Sequence, residues 1–263
     1  MKKIILIVLC IFSLTAANAF AVEVAWMHAQ QRHYGNGRNL NHLSFGLIDD
    51  LGKYFANDNS VAEVTLYGPS GKSVELSPPK FGSLYEIIGF FDPKNSQWRY
   101  TPDWRFDSWF SIEIEEALVP GIYRLKVATV DGKTTERTYK FNKRIDLPMV
   151  DSGTFQFRWD RHGNLIWTWD IPLDLGYLSL DSRTSAKAAI DIYSKDQNVA
   201  YLSVTIPSQM GFVFIPRHIV QKLNQKGDRF EFEIKLETRD KNNRTYPKPF
   251  IVKGMLQTTQ DDK

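Results

Sequence analysis

Cysteine is almost missing: the 263 residues hold one, Cys10. A lone thiol forms no internal disulfide and builds no cysteine-based zinc motif. Because Cys10 sits in an apolar run near the start of the chain, no thiol nucleophile is expected in the folded part. Charge of one sign is also lacking, with 33 Lys and Arg against 30 Asp and Glu and a net charge of +3. The signs are interspersed, so no basic stripe announces a nucleic acid partner. Past the first fourteen residues no apolar run approaches the ~20 residues that a membrane-spanning helix needs. No period of 20 to 50 residues appears, which excludes a solenoid.

Residues 1–21 have the build of a secretory leader. Lys2 and Lys3 precede the apolar run 4–14, and small residues at Ala17/Ala19 or Ala19/Ala21 offer a cleavage site. Export into a bacterial periplasm or the extracellular space is therefore expected, and the absence of cystines fits a bacterial source. Leu9 stands where a small residue would precede a lipidated cysteine, which argues against a lipid anchor.

Alternation of period two dominates the remainder. In the first half Phe110, Ile112 and Ile114 alternate with Ser111, Glu113 and Glu115. Tyr123, Leu125 and Val127 lead to the hairpin signal Asp131-Gly132, and the chain returns through Thr135 to Phe141. In the second half Phe155, Phe157 and Trp159 turn at Asp160–Asn164 into Leu165, Trp167 and Trp169, all assigned to packing. Ala188, Ile190 and Ile192 form another apolar face, as do Leu202, Val204 and Ile206. Phe230, Phe232, Ile234 and Leu236 face a core, which leaves Glu231, Glu233, Lys235 and Glu237 expected in water. Helical spacing is weak, with Leu47 to Phe55 and Arg217 to Asn224 the modest candidates. Residues 142–148, with a proline and three charges, read as a short linker. The expected fold class is all-β: two antiparallel sandwiches in tandem, residues 22–145 and 146–257, with a polar tail at 258–263.

Two stretches carry a family likeness. Residues 163–172 (Gly-Asn-Leu-Ile-Trp-Thr-Trp-Asp-Ile-Pro), with Leu223, Gly227 and the alternation from Phe230, resemble a fibronectin type III domain; Phe230 stands where that family usually has a corner tyrosine. Leu118-Val119-Pro120-Gly121-Ile122-Tyr123-Arg124-Leu125 is similar to the tyrosine corner of bacterial immunoglobulin-like extracellular domains. Such domains serve as adhesins, spacers or carbohydrate-binding accessories. The resemblance therefore implies an interaction role and transfers no catalytic residue.

The segment 97–110 holds six aromatics in fourteen residues, interleaved with Arg and Asp. Ring faces stack on sugars while charged groups bond their hydroxyls, so Trp98, Arg99, Tyr100, Trp104, Arg105 and Trp109 are the candidate ligand-binding residues, expected on a loop. The alternative is that these aromatics fold back as core. His28, His33 and His42 match no metal-site spacing, so no metal is expected. There is no G-x-S-x-G elbow. Asp103 and Asp107 would serve a glycan hydrolase only if they faced one groove. Asp240–Asn243 and Asn57-Asp58-Asn59 carry oxygen donors but read first as turns.

The sequence reading is therefore a non-catalytic exported interaction module without a cofactor, whose partner is a protein or a polysaccharide at the cell surface. A dedicated carbohydrate-binding protein, a structural spacer or assembly subunit, and a glycan-active hydrolase are the alternatives.

Overall fold

A computed structural model describes residues 22–55, 60–142, 145–175 and 184–256. The expected leader, the Asn57-Asp58-Asn59 turn and the polar tail lie outside the described residues. The first half contributes β1 (Glu23–Tyr34), β2 (Asn39–Ile48), β3 (Val61–Tyr67), β4 (Lys80–Asp92), β5 (Gln97–Tyr100), β6 (Arg105–Ile114), β7 (Gly121–Thr129) and β8 (Thr134–Phe141). The second half contributes β9 (Gln156–Trp159), β10 (Leu165–Thr168), β11 (Thr184–Ser194), β12 (Gln197–Pro207) and β13 (Phe212–Ile215). After the helix α1 (Arg217–Asn224) come β14 (Arg229–Thr238), β15 (Asn243–Tyr246) and β16 (Phe250–Lys253). Among the described residues the chain is all-β apart from that helix and a single 3-10 turn at Ser152–Thr154. No helix among the described residues is long and apolar enough to cross a membrane.

Local chemistry sets the turns. Gly132 takes φ 83°, a left-handed conformation that costs glycine nothing, and Thr129 N–H donates to Lys133 O at 2.9 Å, closing the β7–β8 hairpin. The Asp160 carboxylate accepts from the N–H groups of His162 and Asn164, which reverses the chain between β9 and β10. Ahead of β7, the Tyr123 hydroxyl donates to Val119 O at 3.1 Å and lies 3.0 Å from Val119 N, a bond back to the backbone four residues upstream. Leu47 to Phe55 is not helical: β2 runs to Ile48, and a turn follows.

Two three-stranded sheets, β3-β7-β8 and β13-β10-β9, each cover an apolar core. Leu43, Phe45, Phe110, Ile112, Leu125 and Phe141 pack in the first, and Trp167, Ile190, Leu202, Val204, Phe230 and Phe232 in the second. Leu223 of α1 packs into the second core.

The other face of both cores is one continuous wall. The strands β11-β12-β4-β6-β2-β1-β15-β14 pair in that order, and β14 pairs back to β11, which closes an eight-stranded barrel. This corrects the expectation of two separate tandem sandwiches. The halves are joined by two parallel ladders, β1 with β15 and β4 with β12, on opposite sides of the barrel. Closing this sheet removes the edges that its two halves would each expose, while the two three-stranded sheets keep theirs. Strand β4 belongs to both halves, because Phe81 packs on the first core and Ile87 on the second.

Apolar side chains point outward from the barrel into the two cores, and period two then turns the polar side chains into the lumen. Glu233, Lys235 and Glu237 are therefore not in water as expected. The side chain of Glu237 is 5% exposed, and Lys235 is buried as well.

Candidate functional site

The inner wall of the barrel gathers charged groups from several strands. Register places its members. His28, Gln30 and Arg32 of β1 stand opposite Ser44, His42 and Leu40 of β2. Glu237 of β14 stands opposite Arg244 of β15, and Tyr201 of β12 beside Glu86 of β4. Lys187, Tyr201, Arg244 and Tyr246 are surrounded by protein on every side, yet each keeps some accessible surface. All four stand on the lumen face of their strands.

Charges in this space are paired across strands. Arg244 donates to Glu237, and Lys235 Nζ lies 2.7 Å from Glu233 Oε2. Burial favours a neutral Glu237, but Arg244, Lys187 and Lys241 outweigh it and hold the carboxyl down at about 2. Burial pushes Glu233 up, with Asp191 and Glu231 acting in the same direction and Lys235 opposing. Burial pushes Lys187 down, and Arg244 adds to this. Burial likewise pushes His28 down to about 3 and His42 to about 2, assisted for His42 by Arg32, Lys80 and Arg244, so both imidazoles are neutral at pH 7. Tyr246 moves the other way from a buried tyrosine. Burial raises it, but Arg32, Arg244 and Lys235 prevail and bring the phenol to about 8. Among the described residues, Arg32 Nε, Arg244 Nε and His28 Nδ1 are buried without a protein hydrogen-bond partner.

The two ends of the barrel differ. Near the start of β1, Trp26 faces Gly46 and hydrogen-bonds the Tyr54 hydroxyl. A Cβ at Gly46 would lie 2.5 Å from the Trp26 ring and 2.9 Å from Tyr54, so only glycine lets both rings lie across the wall. About 20 Å along the same hairpin, beside the turn after Tyr34, the other end opens into a cavity of about 160 Å3. Arg32, Tyr34, His42, Lys80, Ser111 and Glu113 contribute to its walls.

The segment 97–110 is not a loop. It forms β5, a turn and β6, all laid against β4. Trp98, Tyr100 and Trp104 pack on the second core, and the Tyr100 hydroxyl donates to Phe214 O at 2.5 Å. Trp109 lies on the barrel's inner face over Gly82, whose Cβ would come within 2.7 Å of its ring. Tyr100 pairs Gly89 and Trp109 pairs Gly82, positions separated by about 23 Å along β4. The exposed Arg99 and Arg105 pair with Asp92 and Glu86, at 3.5 Å and 3.6 Å. The six residues thus divide between the second core (Trp98, Tyr100 and Trp104), the lumen (Trp109) and solvent-exposed positions (Arg99 and Arg105), with Arg105 on the same face of β6 as Trp109.

Asp103 and Asp107 are likewise separated. Asp103 is 87% exposed and pairs with Lys222 of α1 at 3.0 Å, whereas Asp107 faces the lumen, where burial and Glu86 raise its pKa. His33 Nδ1 lies 2.8 Å from Asn39 Oδ1, and His42 lies between Ser44 and Ser111. No group of three His, Cys, Asp or Glu among the described residues is placed to hold a metal ion.

The lumen was missed by sequence reasoning, although a signal existed. The polar face of β14 mixes both signs at successive alternate positions, and Lys187, Asp191 and Arg244 repeat that mixture on its neighbours. The chain matches no protein-family model and no curated protein.

Proposed function

We propose that the chain is an exported binding protein acting without catalysis, which takes a protein or polysaccharide partner at the bacterial cell surface through the open end of its barrel. The observation that carries this reading is the polar inner wall leading to the 160 Å3 cavity beside Arg32 and His42. An eight-stranded barrel has an interior just wide enough for side chains or for one small ligand. Here Lys187, Tyr201 and Tyr246 keep accessible surface deep inside. Each wall is backed by an apolar core, which makes the opening a rigid frame.

The same proposal reads the halves as an immunoglobulin-like unit, 22–145, and a fibronectin type III-like unit, 146–257. The bond from Tyr123 to Val119 and the β7–β8 hairpin support the first. Trp167, fully buried between β9 and β13, supports the second. A glycan hydrolase built on Asp103 and Asp107 is the less favoured reading, since Asp103 is exposed beside Lys222 and Asp107 faces the lumen. A structural spacer is the second reading, favoured by the packing of Trp98, Tyr100 and Trp104 on the second core.

Hydroxyl-radical footprinting with a panel of surface polysaccharides separates the two. A binding protein shows ligand-dependent protection of Tyr34 and Leu40 at the opening, with Trp167 as the buried control. A spacer shows no ligand-dependent change.

A further inference from the structure

The cavity at the barrel's open end holds two cations with no carboxylate partner among the described residues. The Arg32 guanidinium donates through Nη2 to Ser44 Oγ at 3.0 Å, lies 5.1 Å from the centre of the Tyr246 ring, and has a buried Nε with no partner. Lys80 joins it in the wall. The one acidic residue lining the cavity, Glu113, lies 3.6 Å from Arg38, which offsets its charge. His42 is neutral and adds no charge of its own; its Nε2 is 2.6 Å from Ser111 Oγ. The same field acts on the neighbouring groups, for Arg32 and Lys80 help depress His42, and Arg32 helps depress Tyr246. An arginine fork bonds carboxylate and phosphate oxygens two at a time, and a lysine adds a point charge. At a liquid volume of about 30 Å3 per water, the cavity has room for about five waters, enough for one acidic group with its adjoining carbons.

We infer that the open end of the barrel is an anion subsite, in which Arg32 and Lys80 bind the carboxylate or phosphate group of an acidic surface polysaccharide. This inference rests on the binding reading above and narrows its ligand to acidic chains. Ser111 and Ser77 supply hydroxyls at the cavity wall for the remaining oxygens. The rest of the ligand extends outward, past Tyr34 and Leu40.

The test uses NMR titration of the whole mature protein with four probes: oligogalacturonate, inorganic phosphate, a phosphate-bearing teichoic-type oligomer and neutral cellohexaose. The expected result is saturable shifts at Arg32, Tyr34 and His42 with an acidic probe and none with cellohexaose. Preference for oligogalacturonate over the phosphate probes assigns the carboxylate source, and the reverse assigns phosphate. Lys80→Gln, at an exposed strand end, should weaken binding about tenfold while leaving the folded spectrum intact. Arg32→Lys, which keeps the charge but loses the fork, should also weaken it. Cellohexaose binding at this opening as well as the acids do would overturn the anion subsite and leave the binding reading standing. Acidic binding unchanged in both variants would overturn the subsite as placed. No shift at these residues with any probe would overturn the subsite together with the open end as the contact surface.

Discussion

His28 and His42 make the fold's stability depend on pH in a direction set by burial. Each has a folded pKa below its ordinary 6.5, about 3 for His28 and about 2 for His42, so the unfolded chain binds their protons first as pH falls. Their contribution is whole above 6.5 and is lost on acidification, at up to about 1.4 kcal/mol per pH unit for each ring. Glu237 adds the same sign between 4.5 and about 2. Urea unfolding at pH 7, 6 and 5 should show falling stability, and His42→Gln should flatten that limb; an unchanged slope would show that His42 is not held neutral. At Tyr123 a single oxygen is at issue. Tyr123→Phe keeps the ring in the first core and loses both contacts with Val119, at an expected cost of about 1 kcal/mol, seen as a lowered midpoint with an unchanged denaturant slope.

Strand β4 shows how an element is constrained from both faces. Gly82 sits under Trp109 on the lumen side, while Gly89 sits under Tyr100 on the side of the second core. A Cβ at Gly89 would lie 2.6 Å from the Tyr100 ring and 3.2 Å from Val204. Gly89→Val must displace Tyr100 and its bond to Phe214, so the expected cost is about 1–3 kcal/mol, with loss of Tyr100 from the second core measurable by near-ultraviolet circular dichroism. Gly132→Val forces a branched side chain into a left-handed turn position and should also destabilise. Its effect should remain local to β7 and β8, visible as faster hydrogen exchange in that hairpin alone.

At the scale of the molecule, the two parallel ladders make one barrel out of both halves. Separating the halves would open β1 from β15 and β4 from β12, and would leave Glu237, Arg244, Lys187 and Lys235 on an open sheet face. Calorimetry of a chain spanning residues 22–263 should therefore give a single transition. Expression of residues 22–145 or 146–256 alone should give material that does not show the same cooperative melt. Two independent transitions would show that the ladders add little. Arg244→Met should be among the most damaging single changes, because Glu237 is then buried without its partner. The expected cost is about 3–5 kcal/mol, and pairing it with Glu237→Leu should recover much of the loss.

Most strands were legible because period two is local: Phe230, Phe232, Ile234 and Leu236 identify β14 whatever surrounds it. Turn chemistry was equally local at Asp131-Gly132 and Asp160–Asn164, where the turn depends on a glycine φ or a carboxylate accepting nearby N–H groups. The segment 97–110 reads as a loop in the sequence because Pro102 and Asp103 mark a turn, whereas that turn is tight and joins two strands that both pair with β4, a strand from earlier in the chain. The candidate opening was not legible, since Arg32, Lys80 and Ser111 come from three strands far apart in sequence.

The sequence alone determined the all-β class, the alternating apolar faces and the tight turns, because backbone geometry and side-chain alternation act within a few residues. Only the tertiary structure decided what the polar faces meet. Period two says that a strand has two environments without naming them, and closure of β11 on β14 turned the polar face of Glu233, Lys235 and Glu237 from solvent into a shared lumen.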